Sequence, residues 1–219
     1  MAEISTSILS VKEEDSIKTF YNLEEAKTDY FHIDVMDGEF VEDNTHKKML
    51  EFCSNIKQIS NLPLDVHLMV KDIKKYIEDY TNFEPSIITF HIEEMENKDQ
   101  TMELIKLIRE NGIKPAIAIS PDTPTENILE YLPYIHMVLV MTVVPGKGGQ
   151  KLIPDTIVKI KKIKEYIEQN KLDTYVEADG GINAENAETL KKAGVDIIVA
   201  GSSIINSKNY KETISNLKR

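Results

Sequence analysis

The chain alternates from end to end between two hydrophobic periods, and that alternation restricts its possible folds more than any single residue does. Runs rich in Val, Ile and Leu occupy residues 4–8, 30–34, 64–68, 86–90, 114–119, 135–140, 174–178 and 196–200. Each is five or six residues long and ends near Gly, Pro or Asp, the grammar of a buried strand. Between them, apolar residues recur at spacings of three and four. Met102, Ile105, Leu107 and Ile108 form one such series and Ile157, Ile160, Ile163 and Ile167 another, with Lys and Glu on many of the other positions. That is the period of an amphipathic helix. Eight strand-then-helix units in 219 residues, about 27 residues apiece, fit a closed (β/α)8 TIM barrel. The competing open, doubly wound sheet usually has six strands and a G-x-G-x-x-G turn after the first, which is missing here. No low-complexity linker or charge block divides the chain, so one barrel domain spanning 1–219 is expected.

Composition narrows the partners. The formal net charge is −11, which speaks against nucleic acid, whose phosphate backbone calls for surplus Lys and Arg. A small phosphorylated ligand is compatible, because it needs only a local cradle of backbone N–H groups. The apolar runs fall far short of the ~18 residues of a membrane-spanning helix. Residues 1–15 lack the apolar core of a secretory signal. The lone cysteine, Cys53, sits in a helix-period stretch and cannot form a disulfide within the chain, so a buried thiol in a reducing, cytoplasmic setting is expected.

Barrel enzymes carry their chemistry at the C-terminal ends of the strands, and polar residues gather there. Side chains alternate along a strand, so in the second run His32, Asp34 and Met36 share one face while Ile33 and Val35 take the other. The third run places Asp65, His67 and Met69 together, and the seventh places Glu177 and Asp179 together just before Gly180 and Gly181. Two imidazoles and two carboxylates converging inside a barrel call for a compensating charge. A divalent metal on His32, Asp34, His67 and Asp179 supplies it, and this nitrogen and oxygen set suits zinc, iron or manganese. Asp65 and Glu177, one layer deeper, are expected to support the ligands. Met36, Met69 and Met141 stand at strand ends, where they could form a soft wall that keeps water from a reacting carbon.

Glycine turns follow three adjacent strands: Gly146, Gly148 and Gly149 flanking Lys147, then Gly180 and Gly181, then Gly201 leading to Ser202 and Ser203. Glycine lets backbone amides approach an anion closely, and barrels often bind phosphate at the loops after strands seven and eight. These turns are read as a phosphate cradle.

Taken together, the residues resemble the ribulose-phosphate 3-epimerase family over essentially the whole chain. The likeness rests on Ser7 to Ser10, His32 to Gly38, Asp65 to Val70, Met141 to Val143 with Pro145, Gly146 and Gly148 to Gln150, Asp179 to Gly181, and Gly201 with Ser202. The resemblance implies a barrel of the ribulose-phosphate-binding type and a 3-epimerase interconverting D-ribulose 5-phosphate and D-xylulose 5-phosphate. It implies that Asp34 and Asp179 act as base and acid on opposite faces of C3, through a metal-stabilised enediolate. One divalent ion per chain is implied on His32, Asp34, His67 and Asp179, with zinc preferred over iron, manganese or cobalt. Ser7 and His67 then fall among the substrate contacts, with Gly146, Lys147, Gly148, Gly149, Gly180, Gly181, Gly201 and Ser202 in the phosphate loops. A homo-oligomer is expected, as in the family.

The chain departs from the family pattern at its rim. Val11 and Lys12 stand in place of Ala-Asp, Glu42 and Asp43 in place of Pro-Asn, Val144 in place of a polar residue, and Lys147 in place of an aromatic. Lys147 could meet phosphate, or Glu42 or Asp43 across the mouth. Two other readings stay open: an epimerase of another ketose phosphate such as D-allulose 6-phosphate, and a phosphosugar-binding barrel without catalysis. A decarboxylase of similar fold would carry Asp-x-Lys-x-x-Asp on the third strand, where His67 and Val70 stand in place of the lysine and the second aspartate.

Overall fold

In the computed structural model, which describes residues 2–219, eight parallel strands close into one barrel in sequence order. The strands are β1 (Glu3–Ser7), β2 (Tyr30–Met36), β3 (Leu64–Met69), β4 (Ile87–His91), β5 (Lys114–Ile119), β6 (Met137–Met141), β7 (Tyr175–Asp179) and β8 (Ile197–Ala200). The return helices are α1 (Ser16–Glu25), α2 (His46–Ile59), α3 (Ile73–Thr81), α4 (Lys98–Glu110), α5 (Glu126–Leu129), α6 (Asp155–Gln169) and α7 (Ala187–Ala193). The chain ends with α8 (Ser202–Ile205) and α9 (Tyr210–Lys218). β1 pairs with both β2 and β8, so no strand edge remains to recruit another chain.

Two-residue alternation sorts side chains between an outer and an inner layer. Phe31, Ile33 and Val35 of β2, Val66 and Leu68 of β3, and Ile88 and Phe90 of β4 point outward into the main core, against the buried stripes of the helices. On α6 that stripe is Ile160, Ile163 and Ile167. Cys53 on α2 belongs to this layer and is fully buried. Each such side chain contributes roughly 1.5–3 kcal/mol on burial, so the stabilising apolar area lies mainly between strands and helices. The barrel interior is therefore free to be polar. An apolar layer of Ile87, Ala116, Met137 and Ile197, with Tyr30 packed against it, fills one inner level. Ala118, Leu139, Met141 and Val143 form an apolar wall on the β5–β6 side. The remaining interior positions of β1, β2, β3, β4 and β7 are largely polar.

Several strand limits differ from the sequence reading. β2, β3 and β7 run on to Met36, Met69 and Asp179, and β6 starts at Met137 rather than at residue 135. Continued pairing carries the ends further: Met36 registers with Met69 and Met141 with Asp179, and neighbouring backbones hold residues that hydropathy alone would assign to loops. Among the described residues no helix is long and apolar enough to cross a membrane.

Candidate active site

β2, β3 and β7 bring His32, Asp34, His67 and Asp179 to a single point. One ligand atom from each lies within 4.8 Å of all the others. His32 Nε2 is 3.5 Å from Asp34 Oδ1 and 3.9 Å from Asp179 Oδ2. His67 Nδ1 is 3.7 Å from Asp34 Oδ1 and 3.6 Å from Asp179 Oδ2. Both of these imidazole nitrogens are buried and without a hydrogen-bond partner. Unpartnered buried polar atoms are costly, and the separations approach the ~3.3 Å edges of a tetrahedron built on metal–ligand bonds of ~2.0–2.1 Å. The donor set and spacing of these four residues therefore fit what a divalent cation would need.

The supporting contacts explain why the ligand atoms aim inward. Asp65 accepts from His32 Nδ1 at 2.7 Å and from the Ser5 hydroxyl at 2.7 Å, which leaves the His32 Nε2 lone pair facing the cluster. Ser7 Oγ donates to Asp34 Oδ2 at 2.7 Å while Asp34 Oδ1 faces the cluster. Thr45 donates to the Asp34 carbonyl and receives the Met36 N–H, bracing the end of β2. Asp37 accepts from the backbone N–H groups of Glu39, Phe40 and Lys71, tying the β2 loop to the β3 loop.

The local field favours a cation at this point. Burial, the largest effect on His32, works against its charge, yet Asp65 and Asp34 raise its pKa well above the usual imidazole range. His67 is raised too, the opposing burial being outweighed by Asp179 and Asp34. Burial alone would push Asp34 upward, but the two histidines hold it far below the usual carboxylate range. Deeper in the barrel, burial first and the charge of Asp65 second push Glu177 well above that range.

Above the cluster opens a cavity of about 500 Å³. Asp34 and Asp179 reach it, Met36, Met69 and Met141 line it, and so do Ser7, Gly146 to Gly149, Gly180, Gly181, Gly201 and Ser202. All three glycine turns thus meet in one wall. His32 and His67 are fully buried and form no part of the lining. Gly181 shows why one of these turns needs glycine: its φ is +66°, and a Cβ would lie 2.4 Å from Leu152 N and 2.7 Å from Gln150 O. The Gln150 side chain donates to the carbonyls of Val144 and Lys147 and closes the β6 loop on itself. At the rim, Lys147 Nζ pairs with Glu42 at 2.9 Å, and both side chains are largely exposed.

Sequence reasoning passed over some of the site. Ile182, Val199 and Ala200 also line the cavity, beside Leu9 and Ser10 of the first motif and Asp43 of the rim. More consequentially, His91 at the end of β4 lies 2.9 Å from His67, and Glu93 lies 2.9 Å from His91. The signal was available, since His91 alternates with Thr89 and so shares the inward face of its strand.

Residues 3–205 match the sequence pattern of the ribulose-phosphate 3 epimerase family. The ribulose-phosphate 3-epimerase of Methanocaldococcus jannaschii is 38% identical over 218 residues, covering 100% of this chain and 90% of the relative. The Bacillus subtilis protein of the same name is 35% identical over 219 residues, covering 100% and 99%. Among solved structures, 3-hexulose-6-phosphate synthase from Salmonella typhimurium superposes with a TM-score of 0.68 at 14% identity, over 98% of this chain and 96% of that one. Thiamine phosphate pyrophosphorylase from Pyrococcus furiosus does so at 0.67 and 16%, over 99% and 93%. At such identities the structural likeness is one of fold.

Proposed function

The chain belongs to the ribulose-phosphate 3-epimerase family and is an isomerase of the epimerase type, and on that premise we propose that it interconverts D-ribulose 5-phosphate and D-xylulose 5-phosphate by moving one proton at C3. The observation that carries this reading is the pair of carboxylates, Asp34 and Asp179, set within 4.8 Å of each other at the base of a cavity walled by glycine turns.

A proton beside a carbonyl is too weakly acidic for an unaided carboxylate to remove quickly. A divalent ion, zinc by preference, on His32, Asp34, His67 and Asp179 would supply Lewis-acid stabilisation of the negative charge left behind. The chain's own groups do the rest. Ser7 orients Asp34 by donating to its Oδ2, so that Asp34 accepts the C3 proton. Asp179, from across the cluster, delivers a proton to the opposite face, and that exchange of faces inverts the centre. The backbone amides of Gly146 to Gly149, Gly180, Gly181, Gly201 and Ser202 bind the phosphate, fixing C3 between the two carboxylates. Met36, Met69 and Met141, each at most 3% exposed, exclude water that would otherwise quench the carbanionic centre.

Asp34→Asn and Asp179→Asn are each expected to lower kcat on D-ribulose 5-phosphate about 10²–10⁴-fold, the span of one general acid or base. Incorporation of solvent deuterium at C3 should fall in step. Near wild-type turnover in either variant refutes the two-aspartate assignment. A higher kcat/KM on D-allulose 6-phosphate moves the reading to the six-carbon substrate.

A further inference from the structure

We propose that His91 and Glu93 are positioning residues that set the tautomer of His67, so that its Nδ1 keeps a lone pair for the ligand cluster. The inference rests on reading that cluster as a metal site, and it adds two residues that neither bind the metal nor touch the substrate.

The contacts leave one consistent arrangement of protons. His67 Nε2 and His91 Nε2 face each other at 2.9 Å. The two rings lie within 23° of one plane and their centroids are 5.1 Å apart. The centroid distance exceeds the nitrogen distance by about two ring radii, so the rings meet edge to edge, the geometry of an in-plane N–H···N bond rather than of stacked faces. Two neutral imidazole nitrogens can share only one proton, so one ring donates and the other accepts.

Glu93 decides which. Its Oε2 lies 2.9 Å from His91 Nδ1. Its Oε1 accepts from the Ser120 backbone N–H at 2.8 Å and from the Thr123 hydroxyl. Although burial, the largest effect, favours the neutral acid, His91, Ser120 and Thr123 hold the Glu93 pKa down to about 2. An ionised carboxylate only accepts. His91 must therefore carry its proton on Nδ1 and accept on Nε2, His67 must donate from Nε2, and His67 Nδ1 is left bare toward Asp34 and Asp179. Phe40 packs on His91 with ring centroids 4.8 Å apart and limits its rotation. The other ligand imidazole has its carboxylate directly, in Asp65. His67 has no carboxylate at Nε2 and is governed by one through an intervening histidine.

The decisive variant is Glu93→Gln, which preserves shape. The Ser120 N–H pins an oxygen at the Oε1 position, so the new NH2 faces His91 Nδ1 and must donate to it. His91 then carries its proton on Nε2, His67 is forced to accept, and a proton occupies His67 Nδ1, where the metal should bind. Glu93→Ala imposes no donor and leaves His91 free to take either tautomer. Zinc affinity, measured by competition with a chelator, is expected to fall about 10–100-fold in Glu93→Gln and by less in Glu93→Ala. A purely structural role gives the reverse order, because Gln fills the site better than Ala. Histidine ¹⁵N spectra of the metal-free full-length chain, at a pH alkaline enough to make both rings neutral, read the protons directly. The wild type should show His67 protonated on Nε2 and His91 on Nδ1, with both inverted in Glu93→Gln. Wild-type His67 protonated on Nδ1, or equal zinc affinity in wild type and Glu93→Gln, overturns the proposal, and the wild-type spectrum decides even if a variant does not fold. A wild-type chain that binds no zinc but shows the expected tautomers sinks the metal reading and leaves the relay standing.

Discussion

Gly181 and Gly149 both adopt left-handed backbone conformations, with φ of +66° and +75°, and both belong to the cavity wall, yet their surroundings are opposite. A Cβ at Gly149 would meet nothing within 4 Å, whereas one at Gly181 would lie 2.4 Å from Leu152 N, 2.7 Å from Gln150 O and 2.9 Å from Lys151 C. The Gly149→Ala change therefore carries only the conformational cost, roughly 1–2 kcal/mol, offset by roughly 0.4–1 kcal/mol of lost freedom in the unfolded chain. Gly181→Ala adds a clash against backbone, which cannot rotate away as a side chain can, and overpacking of that kind costs typically ~1–3 kcal/mol. The expected losses are about 1 kcal/mol for Gly149→Ala and about 2–4 kcal/mol for Gly181→Ala. For a chain of this size each kcal/mol lowers the melting temperature by roughly 2–4 °C. Thermal unfolding of both variants, at one fixed zinc concentration, reads the difference. KM for the phosphorylated substrate should rise more in Gly181→Ala, because the clash parts the β6 and β7 loops that share the cradle. Equal losses in the two variants would refute the claim that close backbone approach, rather than φ alone, requires glycine at 181.

Two further outcomes follow from the same contacts. Burial pushes the Cys53 thiol up to about 12, with Lys57 opposing only slightly, so the folded chain should resist thiol-labelling reagents at pH 8 and react at the rate of unfolding; rapid labelling of the native protein would contradict the packing of α2. Lys147→Ala should raise KM while leaving kcat unchanged, since the lysine bridges the rim to Glu42 and stands away from the carboxylates; a fall in kcat at unchanged KM would place it in the chemistry instead.

What was legible in the sequence was whatever depends on local period. Eight repeats of strand and helix specify the barrel, because each unit must bury a face and only closure removes the edges. Two-residue alternation turns His32, Asp34, His67 and Asp179 inward, while the glycines mark where backbone must bend or come close. Both signals lie within a few residues of chain. What the tertiary structure alone decided is how neighbouring strands stagger. The register that sets His32 beside Asp65 and His67 beside Thr89 carries His91 one step higher, to where it meets His67. No pattern within β4 states that offset. Equally, the pairing of Lys147 with Glu42 joins residues 105 positions apart, a choice made by the fold of two loops. The upward pKa shift of Glu177 comes from burial among groups on other strands. Local period determines which way a side chain points; only the closed barrel determines what it meets there, because hydrogen bonds and charges act across space and not along the chain.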